Sequence, residues 1–183
     1  MYSISFSKHA SLGYALSSFD EMFYLGKIMG YEVIYGLWGE NLQECDALDV
    51  FMLDPNTCNS RDYKKVVCQL ELSRSEFVKG AWIVDMMRVD NKYRGKNIAP
   101  KLYKFLVNKL PGLIIQAGEQ QSPGGQSIWS RLSKQSGVIV YGRTPKGRPV
   151  AMVEINNQLC CAHGNNVAYD GKRDFYMFVM KAV

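Results

Sequence analysis

The apolar run Ala81–Val89 leads, after Asp90-Asn91-Lys92-Tyr93, into Arg94-Gly95-Lys96-Asn97 and then into a periodic segment that stops at Pro111-Gly112. This succession constrains the chain more than any other feature. The run is partly β-branched and bounded by polar residues, which predicts a buried strand. From about Ala99 to Leu110, the residues Leu102, Phe105, Leu106 and Leu110 recur on one side of a helix. Pro100 falls in the first turn, where a missing N–H costs least, and Pro111-Gly112 ends the helix. The start of a helix leaves N–H groups without intrahelical partners and carries the positive end of the dipole, so it favours an anion. Arg94 and Lys96 add charge, and Gly95 lets the backbone come close to a ligand. The loop is therefore suited to a pyrophosphate. An ordinary basic strand-to-helix turn would use the same residues. Neither GxxxxGK[ST] nor GxGxxG occurs, so the two commonest nucleotide loops are excluded.

The elements around this unit are of both kinds. Tyr2–Phe6 alternates weakly and reads as an opening strand. Gly13–Gly30 carries Leu16, Phe19, Met22, Phe23, Leu25 and Met29 at helical spacings, which predicts one amphipathic helix, or two broken at Gly26. Strands are expected over Glu32–Trp38, Leu48–Leu53 and Lys65–Leu72. Downstream, the expected order is strand (Leu113–Gln116), loop (Ser122–Gly125), helix (Gln126–Gln135, with Ile128, Trp129 and Leu132) and strand (Val138–Tyr141). Thr144–Pro149 reads as a turn-rich connection, and Val150–Ile155 and Phe175–Met180 as the last strands. Antiparallel strands followed by alternating strands and helices predict a mixed α/β (α+β) domain around one central sheet. At 183 residues the chain fits a single domain over 1–183.

Almost half the residues are hydrophobic, enough for a real core, and the net charge of +5 suits an anionic ligand. The cysteines, Cys45, Cys58, Cys68, Cys160 and Cys161, are odd in number and contain no CxxC pair. With only His9 and His163 as imidazoles, neither a disulfide framework nor a metal site is expected. The N-terminus lacks the charged-then-apolar pattern of a signal peptide, and no run is long and apolar enough to span a membrane. Together with free thiols, this leads to the expectation of a cytoplasmic protein without membrane association.

The block Met86–Tyr103 resembles the phosphate-binding motif of the GNAT N-acetyltransferases. In that family a strand ends in a valine, and an Arg/Gln-x-x-Gly-x-Gly/Ala loop opens a helix. Arg94 takes the Arg/Gln place and Ala99 the final Gly/Ala place, while Asn97 stands where glycine is usual. Asn is the non-glycine residue that best tolerates a left-handed backbone. The resemblance covers about Ala81–Tyr141, including the strand–helix–strand order that follows. It implies a GNAT-like fold and acetyl-CoA as cosubstrate. Backbone near Met87, Arg88 and Val89 would pair with pantetheine, and the amides of Arg94, Gly95, Lys96, Asn97, Ile98 and Ala99 would hold the pyrophosphate. The thioester would lie between the Ala81–Val89 and Leu113–Gln116 strands. Dimerisation is common in the family, so a homodimer is a further expectation.

The family reaction is direct attack of an amine on the thioester, with a base for the amine proton and an acid for the thiolate. No nucleophilic cysteine is needed, and Cys160-Cys161 read as packing residues. Asp85, on the strand face shared with Met87 and Val89, is a candidate base, as is Glu119 just past the next strand. The register places Trp129 where the family carries its tyrosine acid, and indole does not donate a proton in this way. Tyr141 is the nearest substitute. Ser127 and Gln126 are candidates to bind the pantetheine arm or to cap the second helix. The acceptor amine is left open among a small molecule, a protein and an aminoacyl-tRNA. Two other functions fit the sequence. One is a catalytically silent CoA-binding or interaction module. The other is a nucleic-acid-directed enzyme or binder, whose footprint is Arg143-Thr144-Pro145-Lys146-Gly147-Arg148 with Lys172-Arg173.

Overall fold

A computed structural model describes residues 4–5, 21–39, 42, 44–58, 64–76, 78–118, 121–144, 146–156, 158–161 and 176–182. The chain divides into two compact units, Met1–Ser73 with Met86–Ile98, and Arg74–Asp85 with Ala99–Val183.

The first unit is built on an antiparallel meander: β2 (Glu21–Ile28), β3 (Tyr31–Trp38), β4 (Ala47–Cys58) and β5 (Lys64–Arg74). β1 (Ile4–Ser5) pairs parallel with β5, and the end of β6 (Ala81–Val89) follows β5 in the strand order. β4 is central. Leu48, Val50, Phe51, Met52 and Leu53 are all fully buried, so both of its faces are covered, as its unbroken apolar run requires. Ile34, Phe51, Leu53 and Val66 form one core cluster, with Met22 packed against it.

The helix expected over Gly13–Gly30 is corrected. Residues 13–20 lie outside the described residues, and Glu21–Ile28 is a strand. Met22, Phe23 and Leu25 fit helical spacing but are claimed by pairing with β3. Phe23 sits directly opposite Tyr35, with the rings stacked at 4.9 Å. Cross-strand aromatic pairs of this kind contribute up to about 1 kcal/mol. The connection is the two-residue turn Met29-Gly30, with φ of 55° and 83°. Positive φ at both positions is the type I′ geometry whose twist matches a hairpin. Gly26, at φ 131°, marks a shift in register within β2 and not a helix break.

The second unit orders its strands as β6, β7 (Ile114–Gln116), β12 (Tyr176–Lys181), β8 (Val138–Arg143) and β9 (Pro149–Val150). β7 runs parallel to β6 through Ala81↔Ile114 and Ile83↔Gln116, and β12 is antiparallel to both β7 and β8. β10 (Met152–Ile155) and β11 (Gln158–Cys161) form a separate hairpin. β11 was not foreseen from the sequence.

Helix α1 (Ile98–Lys109) buries Leu102 and Leu106 completely, as expected, together with Tyr103 and Val107. Each such side chain contributes about 1.5–3 kcal/mol. Phe105, expected on the buried face, stays half-buried, with the Lys109 ammonium 5.9 Å from its ring centroid. Helix α2 (Pro123–Ser133) begins earlier than its apolar pattern suggests. Ser122 is its N-cap, accepting from the Gly125 N–H at 3.2 Å, and Pro123 opens the first turn. Trp129 of α2 meets Tyr103 of α1 ring to ring at 5.9 Å. Ser130 and Lys134 both donate to the Glu154 carboxylate on β10, at 2.7 and 2.6 Å, and these bonds hold its pKa below the ordinary range.

Met29 is a side-chain-bearing residue held at left-handed φ on the surface, at a cost glycine or asparagine would not carry. Met29→Asn is expected to raise stability by about 0.5–1 kcal/mol in denaturant melts. A neutral or destabilising result would contradict the turn geometry.

Candidate functional site

The loop after β6 is held by a chain of hydrogen bonds within the first unit. The Asp90 N–H donates to the Val67 carbonyl at 3.0 Å, tying the end of β6 to β5. The Asp90 carboxylate then accepts from the Lys92 N–H at 2.9 Å and caps the short 3-10 helix Asn91–Tyr93. This turn carries the buried Tyr93 to β4, where its hydroxyl donates to Asp54 Oδ2 at 2.9 Å. The other Asp54 oxygen accepts from the Asn56 N–H at 2.9 Å. Tyr31 meets the Tyr93 ring edge-on at 5.7 Å. Burial, then the bond to Asp54 and its negative charge, push the Tyr93 pKa up to about 12.

Beyond this anchor the backbone turns left-handed twice, at Gly95 (φ 78°) and at Asn97 (φ 57°). Asn97 thus adopts the conformation that its replacement of the family's glycine demands. Alternation of left-handed and ordinary residues aims successive N–H groups into one concavity, which suits an anion. No heavy atom lies within 4 Å of where a Gly95 Cβ would stand, so the loop is open on that side. Arg94 donates through Nε to the Val89 carbonyl at 3.1 Å. The exposed Lys96 places its ammonium 5.2 Å from the Tyr93 ring centroid. The side chains of Ile98 and Ala99 are buried, so these two residues have only main chain to offer a ligand.

Upstream on β6, Met87, Arg88 and Val89 are half-buried. The Cys68 thiol donates to Met87 Sδ at 3.6 Å, and burial pushes its pKa far above the ordinary thiol range, so it is not a nucleophile.

The remaining candidates belong to the second unit, except Glu119, which lies outside the described residues. Asp85 is exposed on β6. Tyr141 is half-buried and stacks on Phe178 at 5.3 Å, and burial raises its pKa. Strand pairing sets Ile83, Gln116, Phe178 and Tyr141 in one row across the sheet. Tyr141 and the Asp85 end of β6 are thus three strand spacings apart, about 14 Å. Ser127 donates to the Gly124 carbonyl at 2.8 Å, within the first turn of α2. Gln126 is buried, and its Nε2 has no partner among the described residues. Trp129 is buried against Tyr103 and acts in packing.

The strands Ala81–Val89 and Leu113–Gln116, between which the resemblance sets the thioester, are joined at one end. Ala81–Ile83 pairs directly with Ile114–Gln116. Past the ladder, a Cβ at Gly118 would run into the Val84 carbonyl, so the backbones are still in contact there. The polar group that sequence reasoning missed is Gln116, buried in the row and accepting from the Ser75 hydroxyl at 2.6 Å. A lone glutamine in an apolar strand is its only signal.

No family model matches the sequence, and no curated protein is significantly similar to it. Solved structures of similar shape include an IAA acetyltransferase from Bacillus cereus, at 14% identity and TM-score 0.39, covering 75% of this chain and 79% of that one. The NatC complex bound to Gag peptide and CoA follows at 12% and 0.37, covering 74% and 71%. A GNAT-family acetyltransferase from Staphylococcus aureus gives 13% and 0.33, covering 74% and 67%. The chain resembles GNAT acetyltransferases. Its architecture is a mixed α/β fold. At these scores the likenesses transfer no activity, and the chemistry rests on the chain's own residues.

Tyr93→Phe keeps the ring and removes the bond to Asp54. A hydrogen bond to a charged group contributes about 1.5–3 kcal/mol, and a loss of about that size is expected near neutral pH. Because the folded-state pKa lies above the ordinary value of 10.0, this stability is complete below pH 10 and lost as pH rises toward about 12. Urea melts across that range should show wild type and variant converging. Parallel curves would show that the bond does not form.

Proposed function

We propose that the chain is an acetyl-CoA-dependent N-acetyltransferase acting by direct transfer to an amine. The observation that carries this is the loop Arg94–Ala99, with left-handed Gly95 and Asn97, two cations and the start of α1 in immediate succession. Main-chain N–H groups of this loop would hold the pyrophosphate, with Arg94 and Lys96 adding charge. The main chain at Met87, Arg88 and Val89 would pair with the pantetheine arm. Ser127 and Gln126, the other cofactor-binding candidates, belong to the second unit, where the Ser127 hydroxyl already serves α2.

In this chemistry the amine nitrogen bonds to the thioester carbonyl carbon, the C–S bond breaks, and CoA leaves as thiolate. The amine proton passes to a base. We assign that role to Asp85, an exposed carboxylate two residues from Met87 on the same strand, with Glu119 as the second carboxylate. Tyr141, the third catalytic candidate, stands three strand spacings across the sheet from β6. The cytoplasm supplies acetyl-CoA and suits the buried cysteines Cys45, Cys68 and Cys160.

Calorimetric titration with acetyl-CoA is expected to show micromolar binding. Gly95→Val is expected to weaken it at least tenfold, because a β-branched residue abandons φ 78° even where space is open. Unchanged affinity would refute the loop assignment. With an amine panel and thiol release as readout, Asp85→Asn is expected to lower kcat by about 100-fold or more without changing the KM for acetyl-CoA. CoA binding without turnover on any amine would favour the silent module.

A further inference from the structure

The second unit carries thirteen Lys and Arg against six Asp and Glu, a net of +7, whereas the first carries nine against eleven. Its helices α1 and α2 contain no acidic residue at all. The positive charge is densest at the β8–β9 hairpin. There the Thr144 N–H donates to the Arg148 carbonyl at 2.9 Å, the Gly147 N–H donates to the Thr144 carbonyl at 2.8 Å, and the Arg148 N–H donates to Thr144 Oγ1 at 3.1 Å. This network presents Arg143, Lys146 and Arg148 from one closed turn. Lys146 and Arg148 are exposed, and none of the three pairs with a carboxylate among the described residues.

The strand leading into the turn continues the feature. By period-two alternation Ile139, Tyr141 and Arg143 share one face of β8. The fully buried Phe178 covers one side of Tyr141 with planes 18° apart, and the Arg143 guanidinium lies 5.4 Å from the Tyr141 centroid, so the part of the row open to a ligand is the Tyr141–Arg143 end. Ile139, at 46% exposure, continues this face outward. A ring and a guanidinium leading into cations that meet no carboxylate among the described residues is the combination that binds unpaired bases and their phosphates together. Bases stack on π faces and guanidinium planes, and the backbone follows the charge. An acidic peptide would use the cations but has no use for the stacking row.

We infer that the β8 face and the β8–β9 hairpin form a binding surface for a single-stranded polynucleotide, with Arg143, Lys146 and Arg148 on phosphates and the Tyr141–Arg143 row beneath a base. This surface does not depend on the acyltransferase assignment. Lys172 and Arg173, the other basic pair nearby in sequence, lie outside the described residues.

The test is fluorescence anisotropy of the full chain with labelled single-stranded RNA and DNA oligonucleotides, titrated from 50 to 200 mM salt. Three neutralised phosphates give a log–log slope of about −2, an affinity loss of about 20-fold over that range. The double variant Lys146→Gln with Arg148→Gln should flatten the slope to about −0.7. It should retain the thermal melt and the acetyl-CoA affinity of wild type, since both side chains are exposed and neither pairs with a carboxylate among the described residues. Polyglutamate serves as the control polyanion. Binding it as tightly as the oligonucleotides would overturn the proposal, as would failure of wild type to bind either oligonucleotide at 50 mM salt. A slope that the double variant leaves unchanged would overturn it too. A protein that binds oligonucleotide but not acetyl-CoA would sustain this surface while refuting the proposed activity.

Discussion

The hydrogen bond from Tyr93 to Asp54 ties the loop after β6 to the interior of the first unit. Gly95, Lys96 and Asn97 are exposed, and Lys96 lies over the Tyr93 ring. Their conformation depends on fixed ends, and Tyr93 is one of them. A buried carboxylate would be costly alone. Asp54 is tolerated because it accepts from both the Tyr93 hydroxyl and the Asn56 N–H. Burial first, and then this arrangement, explain why the phenol resists ionisation. A tyrosinate there would face a carboxylate with no proton between them.

From that anchor the rest of the loop follows by steps. The Asp90 cap starts the 3-10 turn, the turn positions Tyr93, and Ile98 and Ala99 bury their side chains at the start of α1. Between these points the backbone is left-handed at Gly95 and Asn97, the residue types that take that conformation at low cost. The loop is preorganised by packing at its flanks, so its main-chain donors need little ordering when an anion arrives.

In the second unit, pairing through β12 carries the organisation. Phe178 stands between Gln116 and Tyr141, so residues from distant parts of the chain fall into one row. The row separates Tyr141 from the Asp85 end of β6. It also joins Tyr141 to Arg143 and the basic hairpin, so the tyrosine that sequence reasoning set among the acids belongs to a stacking face.

Where the local signal was strong, it was legible in the amino-acid sequence alone. β6, α1, and the strands Glu32–Trp38 and Val138–Tyr141 follow from continuous apolar runs or 3.6-residue periodicity bounded by Pro and Gly. The special backbone of Asn97 followed from its residue type at a glycine place. The segment around Met22–Leu25 could not be settled locally, because its apolar spacing satisfies two periods. Only pairing with β3 through Met29-Gly30 decided between them. The early start of α2 was written in Ser122-Pro123 but lay outside the apolar pattern. The bond between Tyr93 and Asp54, the close approach of Gly118 to Val84, and the row from Ile83 to Tyr141 were invisible for a common reason. Each joins residues far apart along the chain, and pairing and burial across strands, not local propensity, choose such partners.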